Sequence, residues 1–381
     1  MKNKNSNTEA FFALLRAGLW ETDIRLSDYE PIDFAAIQSL AEEQSVVGLI
    51  AAGLEHVVDK KPAKKDVLQF IGQTLQLEQQ NYAMNEFIGV LIDKMRKVGI
   101  YTLLVKGQGV AQCYERPLWR CCGDIDLFLS DENYKKAKEF LIPLAFSVET
   151  ERGPHLGMTI DSWIVELHGH FFCGISGRMD CVIKEVEDSV IYHGNVRTWM
   201  NGNTQVFLPG VDNDVIFIFT HFIKHFYKGG LGLRQICDWC RLLYTYRDSL
   251  NYGLLEQRIK SAGLMSEWKA FGALAIEYLG FPKDSMPLLD VRSKKEDVRW
   301  RKKADRIMEF ILKSGNMGHK RGSWLMEHDS WLSRQYVVRK AFSMFRRMGD
   351  LINHARIFPM DSLRFFPRIM WNGVRSAMRG E

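Results

Sequence analysis

The chain has 381 residues, 46% of them apolar and 25% charged, a composition that excludes wholesale disorder and leaves room for two or three domains. Its first residues lack an apolar run followed by a small-residue cleavage site, and no later stretch approaches the ~20 apolar residues needed to span a bilayer, so the expected location is the cytoplasm. The net charge of +5 hides an asymmetry: residues beyond 290 carry 21 Lys+Arg against 9 Asp+Glu, and the first 290 carry 30 against 37. A basic end on an acidic body points to an anionic surface for the tail, whether nucleic acid, membrane or the protein's own acidic face.

Residues 1–98 read as a helical region, with FFALLRAGL, FAAIQSLAEEQSVVGLIAAGLEHV and a long stretch from Asp66 to Val98 at three-four apolar spacing. Gly99 follows the last basic turn, where a helix C-terminus prefers it. Residues 99–210 change character: short β-rich runs (IYTLLV, DIDLFL, FSVET, WIVEL, TQVFLP) alternate with turns. Helical spacing returns in 211–290, with Asp212 or Asn213 placed to cap VDNDVIFIFTHFIKHFY, followed by helices over Leu233–Tyr246 and Leu254–Leu279. A charged linker, VRSKKEDVRWRKKAD, opens the basic region 291–381. The expected class is α+β, a small mixed-sheet core flanked by N-terminal and C-terminal helical regions.

The chemistry concentrates in the sheet segment. In Gly123-Asp124-Ile125-Asp126-Leu127-Phe128-Leu129, two carboxylates at i and i+2 on a strand project to the same face. Their repulsion favours a neutralising hard cation such as Mg²⁺. Turn chemistry accounts for the first acid but not for the second, inside an otherwise apolar strand. Trp163-Ile164-Val165-Glu166-Leu167-His168 supplies a third carboxylate, Glu166, on a further strand. Three such acids holding two metals are the apparatus of in-line displacement at phosphorus. Glu166 with His168 and His170 at i, i+2 and i+4 also forms a face suited to zinc or iron. Upstream, Leu103-Leu104-Val105-Lys106-Gly107-Gln108-Gly109 reads as a buried strand, a glycine turn and a helix starting near Val110, a cradle for phosphate to which Lys106 adds charge.

Taken in order, the strand, Lys-Gly turn and helix, then G-D-I-D-L, then E-L-H, resemble the uncharacterised nucleotidyltransferase family of the DNA-polymerase-β-like superfamily over roughly residues 95 to 280. The superfamily more usually has Gly-Ser in its turn, closer to the acid pair; here Gln108 replaces the serine and the interval to Asp124 is longer. The resemblance implies that Asp124, Asp126 and Glu166 are catalytic and hold two Mg²⁺ ions, with Glu166 assisting deprotonation of an acceptor hydroxyl. It implies transfer of a nucleoside monophosphate from an NTP, ATP being the expected one, with release of pyrophosphate. Lys106, Gly107, Gln108 and Arg120 would then lie near the phosphates, with Arg234 and Asp238 as secondary site residues in the helical lobe. The acceptor stays open among small molecule, sugar, protein and tRNA. A toxin-like transferase acting on tRNA is an alternative, as is a catalytically inactive module tethered by its tail.

Four further features have blander readings. Arg234 and Asp238, four apart, are spaced for an intrahelical ion pair. His221 and His225 share an apolar helix face and read as packing residues. The seven cysteines show no disulfide framework, and the single C-x-x-C, Cys237 to Cys240, lacks the second pair of a zinc site. In the tail, SRQYVVRKAFSMFRRMGDLINHARIF places Val338, Phe342, Phe345, Met348 and Ile352 on one face and Arg339, Lys340, Arg346 and Arg347 elsewhere, a basic amphipathic helix that Pro359 ends. Such a helix packs on the protein's own core, contacts a membrane peripherally or binds nucleic acid.

Overall fold

The computed structural model describes residues 6–60, 62–151, 153–290, 293–316 and 348–378. Four helices come first: α1 (Ser6–Trp20), α2 (Phe34–Glu43), α3 (Val47–Glu55) and the 34-residue α4 (Lys64–Lys97). The continuous helix expected over α2 and α3 is broken where Ser45 takes a positive φ of 56°. α1 and α3 cross closely because Gly18 and Gly53 leave room for backbone: a Cβ on Gly53 would stand 2.1 Å from the Leu14 carbonyl oxygen, and one on Gly18 1.9 Å from that of Leu49.

Seven strands follow, interleaved with helices: β1 (Leu103–Val105), α5 (Gly107–Ala111), β2 (Asp124–Phe128), α6 (Asp131–Leu141), β3 (Ser147–Val148), β4 (His155–Ile160), β5 (Trp163–His168), α7 (Gly177–Ile191), β6 (Val196–Asn201) and β7 (Thr204–Pro209). They form one mixed sheet in the order β3-β4-β5-β2-β1-β7-β6. β2 runs parallel to β5 and antiparallel to β1, and β1 runs parallel to β7. The sequence reading missed β4 and β6. HLGMTI does alternate, with Leu156, Met158 and Ile160 in the core, but a glycine among its outward positions weakens the strand signal, and VRTWMN lies on an edge where little burial constrains it.

Period-two alternation gives the sheet two different faces. Leu104, Ile125, Leu127, Val165, Leu167 and Leu208 point into a core closed by Ile88, Leu91 and Met95 of α4 and by Tyr134 and Leu141 of α6. Val105 and Phe128 belong to the other core, shared with the helical lobe. That lobe comprises α8 (Val211–Lys228), α9 (Leu233–Thr245), α10 (Tyr252–Ala262) and α11 (Met265–Leu279). Gly263, at φ 73°, divides α10 from α11, where a single helix was expected. Gly210 rather than Asp212 or Asn213 stands at the N-cap of α8. Asp212 instead accepts from the Asn251 amide, and Asp214 pairs with Arg197. Edge-to-face contacts among Phe219, Phe222, Trp239, Trp268 and Phe271 fill the lobe's centre.

The segment expected to be a charged linker is largely helix, α12 (Lys294–Ser314), capped by Ser293. Its Trp300, Ala304, Ile307 and Ile311 are buried, an apolar stripe that the abundance of Lys and Arg masks in the sequence. Residues 348–357 are helical and are followed by α13 (Pro359–Met378), so Pro359 starts a helix as well as ending one. Val338, Arg339, Lys340, Phe342, Phe345, Arg346 and Arg347 of the expected amphipathic helix lie outside the described residues; Met348 and Ile352 are exposed. α13 buries Phe365 against Tyr227, and its Arg368 pairs with Asp180 at 2.7 Å, basic tail on acidic body. No described helix is long and apolar enough to cross a membrane.

Two outcomes are expected from this packing. Gly53→Ala forces backbone apart at the α1-α3 crossing and should lower stability by about 1–3 kcal/mol in urea denaturation. Glu267 is wholly buried in α11, accepts from the Tyr227 hydroxyl at 2.7 Å, and burial, helped by Asp361, pushes its carboxyl up to about 8. A carboxyl raised in the fold above its ordinary 4.5 holds a proton that the unfolded chain releases, so stability should fall as pH rises from about 4.5 through 8. Glu267→Gln should flatten that fall when denaturation midpoints are compared across the same pH range.

Candidate active site

The register between β2 and β5 decides which acids meet. Asp126 pairs with Glu166, and Asp124 lies two residues away on the same face. A ligand oxygen from each of Asp124, Asp126 and Glu166 lies within 4.8 Å of the other two. This face looks toward the helical lobe, and Asp126 is only 2% exposed.

Three like charges at such separations need compensation. Lys106 Nζ lies 2.6 Å from Asp126 Oδ1. His168 Nε2 lies 2.7 Å from the same oxygen and 3.5 Å from Glu166 Oε2, and His155 Nε2 lies 3.1 Å from Glu166 Oε2. The carboxyls respond differently. Burial and the neighbouring Asp126 raise Asp124. Burial would also raise Asp126, but Lys106 and His168 outweigh it and hold its carboxyl below the usual range. Hydrogen bonds from His155 and His168 hold Glu166 far below that range. Burial opposes the charge on Lys106, yet Asp126 and Asp124 keep its ammonium strongly protonated.

The turn that delivers Lys106 is strained. Lys106 sits at φ 58°, ψ −143°, a region essentially reserved for glycine and costing other residues about 1–3 kcal/mol. Gly107 follows at φ 41°, and a Cβ there would stand 3.3 Å from Cys122 Sγ, so glycine lets the turn press against β2. α5 begins at Gly107 rather than near Val110, as one short turn and a half. Gln108 faces away from the acids: its amide donates to Asn81 Oδ1 of α4 at 2.8 Å. Asn81 in turn donates to the carbonyls of Leu118 at 2.7 Å and Arg120 at 2.8 Å, so one buried amide ties α4, α5 and the approach to β2 together.

A family model described as uncharacterised nucleotidyltransferase matches residues 30–280. The chain belongs to this family. The match begins at residue 30, so α2, α3 and α4 fall within the family module, which the motif-bearing stretch alone had placed from about residue 95 onward. No curated protein and no solved structure matched the chain.

The chain has a cavity of about 70 Å³ beside the acid pair, walled by Lys106, Asp124, Asp126, His221, Arg234 and the buried Arg120-Asp238 pair. A larger cavity of about 230 Å³ lies between the end of α8 and the C-terminal helices and shares no lining residue with it. Asp238 does not pair with Arg234. It accepts from Arg120 Nε at 3.0 Å and Nη2 at 2.7 Å, and from the Tyr114 hydroxyl at 2.8 Å. Arg120 therefore reaches the cavity wall with those two donors already committed. Arg234 Nη1 donates to the Cys121 carbonyl at 2.7 Å, while its Nε is buried without a protein partner among the described residues.

His170 is not part of the cluster; it contacts Glu187 and Asp131. The imidazole beside Glu166 and His168 comes instead from His155, on the unrecognised strand β4. The alternation of HLGMTI could have marked the strand, but its pairing with β5, which brings His155 to Glu166, is set by the tertiary register. His221 and His225 contact each other at 3.0 Å, and burial lowers both, His225 to about 4. They are neutral at ordinary pH. Cys237 and Cys240 are buried free thiols, raised by burial.

Asp238→Ala would leave Arg120 charged and unpaired in the interior, and should cost about 3–5 kcal/mol. The double change Arg120→Met/Asp238→Leu should recover a large part of that loss in the same urea titration.

Proposed function

We propose that the chain transfers a nucleoside monophosphate from an NTP, with ATP the first nucleotide to try, to a hydroxyl acceptor with release of pyrophosphate. The observation that carries this reading is the convergence of Asp124, Asp126 and Glu166 on one sheet face in a nucleotidyltransferase family member. The donor set is all oxygen, which suits hard cations, so these three residues would hold two Mg²⁺ ions. Bound there, the ions supply charge that favours an attacking alkoxide and steadies the leaving pyrophosphate.

The other residues have roles set by charge and position. Lys106 brings a strongly protonated ammonium to the acid pair, and Arg234 lines the same cavity with an uncommitted Nε. Both cations line the cavity where a triphosphate would lie. Gln108 offers its backbone but not its side chain, which α4 has engaged. Glu166, held ionised by hydrogen bonds from two imidazoles, is available as a carboxylate to hold the cation. The hydroxyl class of acceptor rests on the family reading, and small molecule, sugar, protein and tRNA all satisfy it.

The test is Mg²⁺-dependent transfer from each α-³²P-labelled NTP in cell extract, alongside direct titration of each nucleotide with Mg²⁺. Label should reach an acceptor with the native chain and fall by about 10²–10³ or more with Asp124→Asn/Asp126→Asn, as expected when preorganised charge stabilisation is removed. Neither label nor Mg²⁺-dependent nucleotide binding, from a protein shown to be folded, would sink the transferase reading.

A further inference from the structure

The sheet face that carries Glu166 also carries two imidazoles. His155 on β4 pairs with His168 on β5, and Gly157 of β4 pairs with Glu166. Glycine at 157 places no side chain over the carboxylate. The space that a Cβ there would enter is held instead by the Glu149 carboxylate, 3.0 Å away, a further negative charge beside the pair. Both rings stand beside one atom: His155 Nε2 is 3.1 Å from Glu166 Oε2, and His168 Nε2, which also contacts Asp126 Oδ1 at 2.7 Å, is 3.5 Å from it.

These separations match a particular coordination. Tetrahedral zinc, with Zn–N of about 2.0–2.1 Å and Zn–O of about 2.0–2.2 Å, sets its ligand atoms roughly 3.4 Å apart. The two measured edges bracket that value, and one ligand atom from each of His155, Glu166 and His168 lies within 4.8 Å of the others. Two imidazoles and a carboxylate suit a borderline ion such as Zn²⁺, whereas Mg²⁺ prefers oxygen alone. His155 is 33% exposed, so an ion can enter from solvent.

We propose that His155, Glu166 and His168 form a zinc site that shares Glu166 with the carboxylate set. Each ring binds through Nε2 in its neutral form, with its proton on Nδ1. Glu166 cannot serve both sets with the same oxygen. Zinc therefore withdraws it from Asp124 and Asp126 and inhibits transfer. Inhibition rests on the proposed transferase activity; zinc binding does not.

The experiment uses the full chain stripped of metal, with its one exposed cysteine removed as Cys181→Ser. Zn²⁺ is titrated against a chromophoric chelator in excess Mg²⁺, and the zinc shell is read by X-ray absorption. One zinc per chain is expected, with nitrogen and oxygen neighbours and no sulfur. His155→Ala should weaken it at least about tenfold, while Asp124→Ala, which spares all three ligands, should leave it unchanged. No zinc held against the chelator, equal affinity in His155→Ala, equal loss in Asp124→Ala, or sulfur in the shell would overturn the assignment. Zinc bound as expected by a protein that transfers no label would leave the site standing and remove the transferase reading alone.

Discussion

Mutual repulsion among Asp124, Asp126 and Glu166 is the constraint around which the rest of this molecule is organised. Three carboxylates with oxygens within 4.8 Å, one of them almost wholly buried, destabilise any fold that leaves them uncompensated. Compensation comes from three directions: Lys106 from the β1 turn, His168 from β5 and His155 from β4. The Lys106 backbone is held in a glycine-like conformation to reach Asp126, and surrounding structure must over-determine so strained a residue. α4 contributes through Asn81, whose amide joins α5 to the segment before β2.

The two faces of the sheet divide the labour. The face under α4 and α6 is continuous hydrocarbon and supplies rigidity. The opposite face meets α8 and α9, and there the polar groups collect, because a cavity between sheet and lobe admits solvent while its walls stay fixed. The Arg120-Asp238 pair, with the Tyr114 hydroxyl, fastens the approach to β2 onto α9. A buried ion pair of this kind adds little net stability, but breaking one side of it is costly, so the lobe is held in register with the acids.

Sharing of Glu166 between an oxygen set and a nitrogen-bearing set follows from the same register. A carboxylate opposite Asp126 on one side and beside two imidazoles on the other is available to hard and borderline cations alike. Which ion occupies the face would then depend on coordination chemistry and metal supply.

Some of this was determined by the sequence alone. Asp124 and Asp126 must share a face, because strand side chains alternate with a period of two whatever surrounds them. The helical N-terminal region, the β-rich middle and the helical lobe were readable from local periodicity for the same reason. Only the tertiary structure decided the rest. Glu166 meets Asp126 through a β2-β5 register spanning forty residues. His155 joins them from β4 through a β4-β5 register that local pattern does not specify. Asp238 chooses Arg120, more than a hundred residues away, over Arg234 one turn away. Gln108 turned to Asn81 of α4, and the apparent linker became α12, because burial on distant elements outweighed local charge and turn signals. Periodicity is a property of neighbouring residues, whereas register and pairing are settled by which distant surfaces exclude water together.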